Sequence, residues 1–142
     1  MRTNIFAIDN NTVAQDVALL LFRVVSGSAF AFYGWGKIQH PLNWMGDEAI
    51  FTGFFQALAA IAEFCGGIAW ILGFLTRLGA FGIGCTMGVA VYMHLIVIGD
   101  PFVSFTGGGS YDHALIFLVI ALLLLVMGPG RFSLDRLVFG KN

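Results

Sequence analysis

From Leu78 to Ile98 the chain carries no Asp, Glu, Lys or Arg. A helix of about 20 apolar residues crosses the hydrocarbon of a bilayer. Three further apolar runs accompany this one, and they set the composition: 58% of the residues are apolar and 11% charged. Soluble domains carry about 25% charged residues. A core of ordinary size cannot hide so many apolar side chains, so the outer surface must itself be apolar and face lipid. In hydrocarbon every backbone N–H and C=O must bond within its own segment, which selects helices. The sequence therefore predicts an all-α fold, a four-helix transmembrane bundle in one integral membrane domain over residues 1–142. Its spans are expected at residues 17–36, 54–75, 78–98 and 111–127.

The connections are read from their breakers. Residues 1–15 form a polar lead without the pattern of a signal peptide. Asn11, Thr12 or Asp16 is placed to cap the first helix. Pro41, Gly46 and Gly53 break the segment 38–53, which reads as an interfacial loop with room for a short surface helix. A turn at Thr76-Arg77 makes spans two and three antiparallel neighbours. Asp100-Pro101 and Gly107-Gly108-Gly109 make the next loop flexible, and Gly128-Pro129-Gly130 stops the fourth span. Beyond it, residues 131–139 suit a short amphipathic surface piece. Four crossings return both termini to one side, with Arg2, Arg77, Arg131, Arg136 and Lys141. The other side has Lys37 with Asp47, Glu48, Asp100 and Asp112. By the positive-inside rule both termini are expected in the cytoplasm.

Two charges fall deep in the spans, Arg23 and Glu63. A charge in hydrocarbon costs several kcal/mol (about 3 or more) unless partnered, so it marks a functional or register-setting position. Arg23, Phe30 and Lys37 are spaced by seven, with Gly27 and Gly34 near the same helix face. Glu63, Trp70 and Arg77 share the same spacing. The expected arrangement is an Arg23–Glu63 pair between spans one and two. It reads either as a device fixing the register of the bundle or as the floor of a cavity in which Glu63 takes up a proton.

Nearer the outer surface Tyr33, Lys37, His40, Tyr92, His94, Tyr111, Asp112 and His113 gather at similar predicted depth. Their His, Tyr and Lys side chains are the donors that a quinone head group or a small anion needs. Interfacial tyrosines and a snorkelling lysine are the plainer reading. On the functional reading Glu63 and His94 are the candidate catalytic groups, and Arg23, Tyr33, Lys37, Tyr92 and Tyr111 the candidate cofactor contacts. Cys65 and Cys85 read as small buried hydrophobes, with a redox pair left open by their similar depth. No metal centre is expected. The cysteine spacing is not that of a zinc site, and haem ligation between helices needs two facing histidines where only His94 lies within a span. There is no Walker or Rossmann glycine pattern. A net charge of −1 and scattered basic residues argue against nucleic acid.

One combination of residues is recognisable as a set. It comprises Arg23 in the first span, Tyr33-Gly34-x-x-Lys37 at its end, and Glu63-x-x-Gly66-Gly67 with Gly73-x-x-Thr76-Arg77. His94 late in span three and Gly128-Pro-Gly-Arg-x-Ser-Leu-Asp135 complete it. In order and spacing this resembles the DoxX family of small bacterial membrane proteins, over residues 17–137. The resemblance implies a multi-pass protein of the bacterial inner membrane, surrounded by the lipid bilayer. It also implies membership of a quinone-linked membrane oxidoreductase, or a small subunit of such a complex, with quinone as the cofactor. Other oxidoreductase subunits and further copies of the chain are the partners it allows. The family supplies no agreed catalytic residues. The first loop is short here and lacks the soluble insertion of some quinone-linked relatives, which argues against an independent thiosulfate-oxidising activity. A non-catalytic accessory or scaffold subunit is the alternative, and a carrier of small solutes or lipid a third.

Overall fold

The computed structural model describes residues 12–47 and 49–140. Asn11, and Arg2, Glu48 and Lys141 of the expected charge asymmetry, lie outside them. Thr12 opens α1 (Val13–Gln39) with a reciprocal cap. Its hydroxyl accepts from Gln15 N, and its own N–H donates to Gln15 Oε1 at 2.8 Å, so two exposed donors are satisfied together. The helix stops before Pro41, whose ring disfavours helical backbone in the preceding His40. Next come α2 (Gly53–Leu72) and α3 (Thr76–Tyr92), which continues through a π-helical stretch, Met93–Ile98. They are followed by α4 (Asp112–Met127) and the short α5 (Leu134–Phe139). Among the described residues there is no strand. The first two helices and Thr76–Ile98 are long and apolar enough to cross a membrane, and α4 is a shorter apolar helix. The result is an all-helical chain with the architecture of a four-helix membrane bundle.

Packing runs α1 on α2, α2 on α3 and α3 on α4. Glycines make the first seam close. A Cβ at Gly67 would lie 2.5 Å from Ala31 N and 2.7 Å from Gly27 O, and one at Gly34 would strike the Phe64 backbone. Gly67→Ala must therefore push two backbones apart. A loss of about 1–3 kcal/mol is expected, read as a lower thermal midpoint in detergent. Gly88→Ala, which meets nothing within 4 Å, is expected to be neutral or stabilising, because alanine is the better helix former.

The interior is small: Leu19, Phe30, Trp70, Ala80, Ile83, Ala121 and Leu124. Phe32, Val25, Leu78, Phe81 and Val126 stand on the outside. An exposed apolar surface of this kind fits lipid rather than water. Cys65 and Cys85 are also on that exterior as free thiols. They are not buried small hydrophobes, because each stands on the outward side of its helix. Residues 40–47 form turns rather than a surface helix.

One end of the bundle is held by polar groups. The expected Arg23–Glu63 pair does not form. Arg23 is 1% exposed, and its guanidinium donates to Trp70 O at 3.1 Å, to Phe132 O at 2.8 Å and to Pro129 O. The reason is register. Gly27 faces Gly67 and Gly34 faces Phe64, so in this antiparallel pair Arg23 reaches Gly73, two to three turns from Glu63. Arg77 does not continue the Glu63–Trp70 face either. α2 ends at Gly73, whose φ of 66° is left-handed, and the turn occupies residues 73–75, so Arg77 belongs to α3. There its Nη2 donates to Val126 O at 3.3 Å.

Leu75 is a non-glycine residue at φ 50°. It is held there by the Asp135 carboxylate, which accepts from Leu75 N at 2.6 Å and Thr76 N at 3.0 Å and so caps α3. Asp135 N donates back to Gly73 O at 2.8 Å. Asp16, 1% exposed, accepts from Arg131 N and lies 3.0 Å from Arg131 Nε. The Gly-Pro-Gly-Arg-x-Ser-Leu-Asp segment is thus a clamp across the ends of α1, α2 and α3.

Candidate functional site

The other end is hollow. A cavity of about 280 Å³ lies among all four long helices. α1 contributes Phe30, Tyr33 and Lys37, and α2 contributes Glu63. From α3 and its π-helical end come Met87 and His94, and from α4 and its lead come Ser110, His113 and Phe117. Apolar walls and a few converging polar groups are the usual make-up of a ligand site.

Two side-chain pairs, one lysine–carboxylate and one histidine–carboxylate, define its chemistry. Lys37 Nζ lies 2.7 Å from both oxygens of Glu63. The carboxylate is 3% exposed and the lysine side chain 25%. Lys37 comes within reach because it sits one turn beyond Gly34, where α1 and α2 approach most closely. Its ammonium also lies 4.3 Å from the centre of the Trp44 ring, a cation–π contact on the loop side. Trp44 is fixed in turn by the buried Gln56: Trp44 Nε1 donates to Gln56 O at 2.9 Å, and Met45 N donates to Gln56 Oε1 at 3.0 Å. The first loop therefore closes over the pair.

The second pair is His94 and Asp100, with Nδ1 2.6 Å from Oδ2. It depends on the π-helical turn, which shifts the helix register late in α3, a device often found at functional sites. Asp100 N donates to His94 O at 2.8 Å. Gly109 packs so closely that a Cβ there would lie 2.5 Å from Asp100 Oδ2. An ionised carboxylate accepts only, so it holds the proton on Nδ1 and leaves Nε2 as the second functional nitrogen. Nearby, Ser110 Oγ donates to Asp112 Oδ1 at 2.7 Å, and His113 Nδ1 lies 3.1 Å from the same oxygen.

The structure gathers Tyr33, Lys37, Glu63 and His94 around one space. It does not bring the other three candidates there. Arg23 is in the clamp at the opposite end. Tyr92 is exposed on the outer face of α3, and Tyr111 rests its ring on Phe102 in the α3–α4 loop. His40 is the exposed C-cap of α1. Asp100, Trp44 and Gln56 were missed as functional residues. In sequence Asp100 carries only a turn signal, and a spacing of six between His94 and Asp100 matches no regular helix. Among the described residues no group of three or more His, Cys, Asp and Glu side chains is placed to hold a metal ion.

Fold and site together define a small multi-pass helical membrane protein with an apolar-walled cavity carrying a few polar groups at one end and a charged clamp at the other. The sequence profile of the DoxX family matches residues 18–96. The chain belongs to the DoxX family. It is similar to the inner membrane protein YqjF of Escherichia coli, at 34% identity covering 89% of this chain and 96% of that protein. A second relative is an uncharacterized protein of Haemophilus influenzae, 28% identical over 87% of this chain and 92% of its own length. No solved structure matches. Family, relative and apolar helices place the protein in the bacterial inner membrane as a multi-pass protein.

Proposed function

We propose that the cavity binds a quinone head group and that the protein is a quinone-linked membrane oxidoreductase or a small subunit of one. The observation that carries this reading is the convergence of Lys37–Glu63 and His94–Asp100 on one apolar-walled cavity. A scaffold would pack its interior solidly, without a space into which these polar groups turn. About 280 Å³ is at the small end of ligand sites, which run from about 300 to 1,000 Å³. That space suits a single ring with its tail outside.

The residues fit such a head group. Phe30, Phe117 and Met87 flank it, while Lys37 and the Tyr33 hydroxyl are donors for carbonyl oxygens. When bound, a quinone supplies two-electron, two-proton chemistry. This chain's part is to orient the ring, exclude water and hold protons at His94 and Glu63. The electrons come from a separate donor on this reading. Saturable quenching of tryptophan fluorescence by a decyl-benzoquinone in nanodiscs is expected, weakened in His94→Ala. Quenching that rises linearly without saturating would overturn the reading.

Orientation follows from charge. Among the described residues Arg77, Arg131 and Arg136 flank the clamp end, and Lys37 lies at the cavity end. By the positive-inside rule the clamp faces the cytoplasm and the cavity the periplasm. In a Cys65→Ala/Cys85→Ala background, Thr106→Cys is expected to react with a membrane-impermeant thiol reagent on intact spheroplasts. A C-terminal green fluorescent protein fusion is expected to fluoresce. Thr106→Cys reacting only after permeabilisation would invert the assignment.

A further inference from the structure

The four seams of the bundle are not built alike. Between α1 and α2 the backbones meet at Gly27, Gly34 and Gly67. Between α2 and α3 they meet at Gly66 and Gly79, where a Cβ on Gly79 would lie 3.3 Å from Gly66 Cα. α3 and α4 also pack along their length, whereas α1 and α4 make no comparable approach. Side chains fill that fourth seam. The Phe30 ring meets Phe117 edge-on at 4.8 Å between centres, and Tyr33 meets the same ring at 6.3 Å. Phe30 is 1% exposed and Tyr33 56%, so this aromatic row runs from the interior to the outer surface. All three residues also line the cavity.

A seam closed by glycine opens only if two backbones separate. One closed by rings opens when side chains change rotamer, a nanosecond event at an exposed position such as Tyr33 and a slower one at the buried Phe30. Among the described residues, the seam closed by rings rather than by backbone thus lies between the cavity and the lipid. Deeper in the bundle the core is solid, filled by Leu19, Trp70 and Leu124, so the seam leads to the cavity and no further.

We infer that the α1–α4 seam is a lateral portal. The ligand is a membrane-dissolved amphiphile, a quinone-type ring on a long apolar chain. It enters from the bilayer past Tyr33, Phe30 and Phe117, seats its ring near Lys37 and His94, and leaves its chain in the seam. This rests on the quinone reading and adds to it the ligand's hydrophobic tail and its route. A water-soluble ligand would instead use the loop side, past Ser110 and Trp44.

The test uses the wild-type protein in nanodiscs and a benzoquinone carrying a photoreactive diazirine part-way along a decyl chain. Adducts are mapped by mass spectrometry, with and without excess unlabelled decyl-benzoquinone. The expected result is labelling of the facing parts of α1 and α4, from Phe30 to Tyr33 and from Phe117 to Ile120, lost when competitor is present. Competable labelling confined to the loop around Phe102 and Phe105 would overturn the portal and leave the cavity reading standing. Labelling that no competitor removes, spread over outward residues such as Leu58 and Phe81, would overturn both.

Discussion

Arg23→Met is expected to lower the thermal midpoint of the purified protein by about 10–15 °C. The guanidinium is buried and serves three carbonyls from two separate segments: Trp70 at the end of α2, and Pro129 and Phe132 in the turn before α5. Removing one partner of a buried charged network costs about 3–5 kcal/mol, because the groups left behind are neither paired nor solvated. Total stabilities run about 5–15 kcal/mol, so a large share of the margin goes. Arg23→Lys is expected to recover only part of it, since a point-like ammonium cannot span three acceptors as the planar fork does. Circular dichroism melts in one detergent check both variants. A midpoint for Arg23→Met within a degree or two of wild type, by the same scaling, would show that the clamp is incidental.

The second large effect separates architecture from ligand binding. Lys37→Met leaves the nearly buried Glu63 carboxylate without its ammonium, and Glu63→Met leaves Lys37 half-covered under Trp44. Each single variant is expected to lose stability by about 2–4 kcal/mol and quinone affinity at least tenfold, about 1.4 kcal/mol. The double variant Lys37→Met/Glu63→Met places two apolar side chains together and is expected to regain most of the stability, as replaced buried pairs often do. Affinity is expected to stay low, because the Lys37 donor and the Glu63 carboxylate are both gone. Paired melting curves and tryptophan-quenching titrations read the two quantities independently. A double variant that recovers both would make the pair a register-fixing device and sink its role in binding.

The sequence carried more of the faces than of the pairings. The stripe Arg23, Gly27, Phe30, Gly34 and Lys37 could be read from spacing alone, and all but Lys37 are buried in α1. Membrane residence was equally plain, because a run such as Leu78 to Ile98 has no other stable solution. What could not be read was the antiparallel register of α1 against α2. That register is set by which backbones meet, Gly27 on Gly67 and Gly34 on Phe64, and the spacing within one run does not say which residues of the other run it meets. The register places Arg23 beside Gly73, two to three turns from Glu63, so its partners are carbonyls and not a carboxylate. The site was half legible for a related reason. Lys37, Glu63 and His94 stand out as polar residues in or beside apolar runs. Asp100 does not, because only a π-helical turn brings a residue six positions on back to its histidine. Cys65 and Cys85 misled because hydropathy cannot distinguish the lipid face of a helix from its packed face.

The clamp has a consequence for how this protein comes into being. A translocon releases helices in chain order, yet Arg23 needs carbonyls that lie 106 and 109 residues downstream. Until that stretch leaves the ribosome, α1 holds an unshielded cation and α3 starts without its carboxylate lid. The nascent chain therefore gains its clamp only in one late step, and a chain ending near residue 128 is expected to insert its four helices without the contacts that tie their ends together.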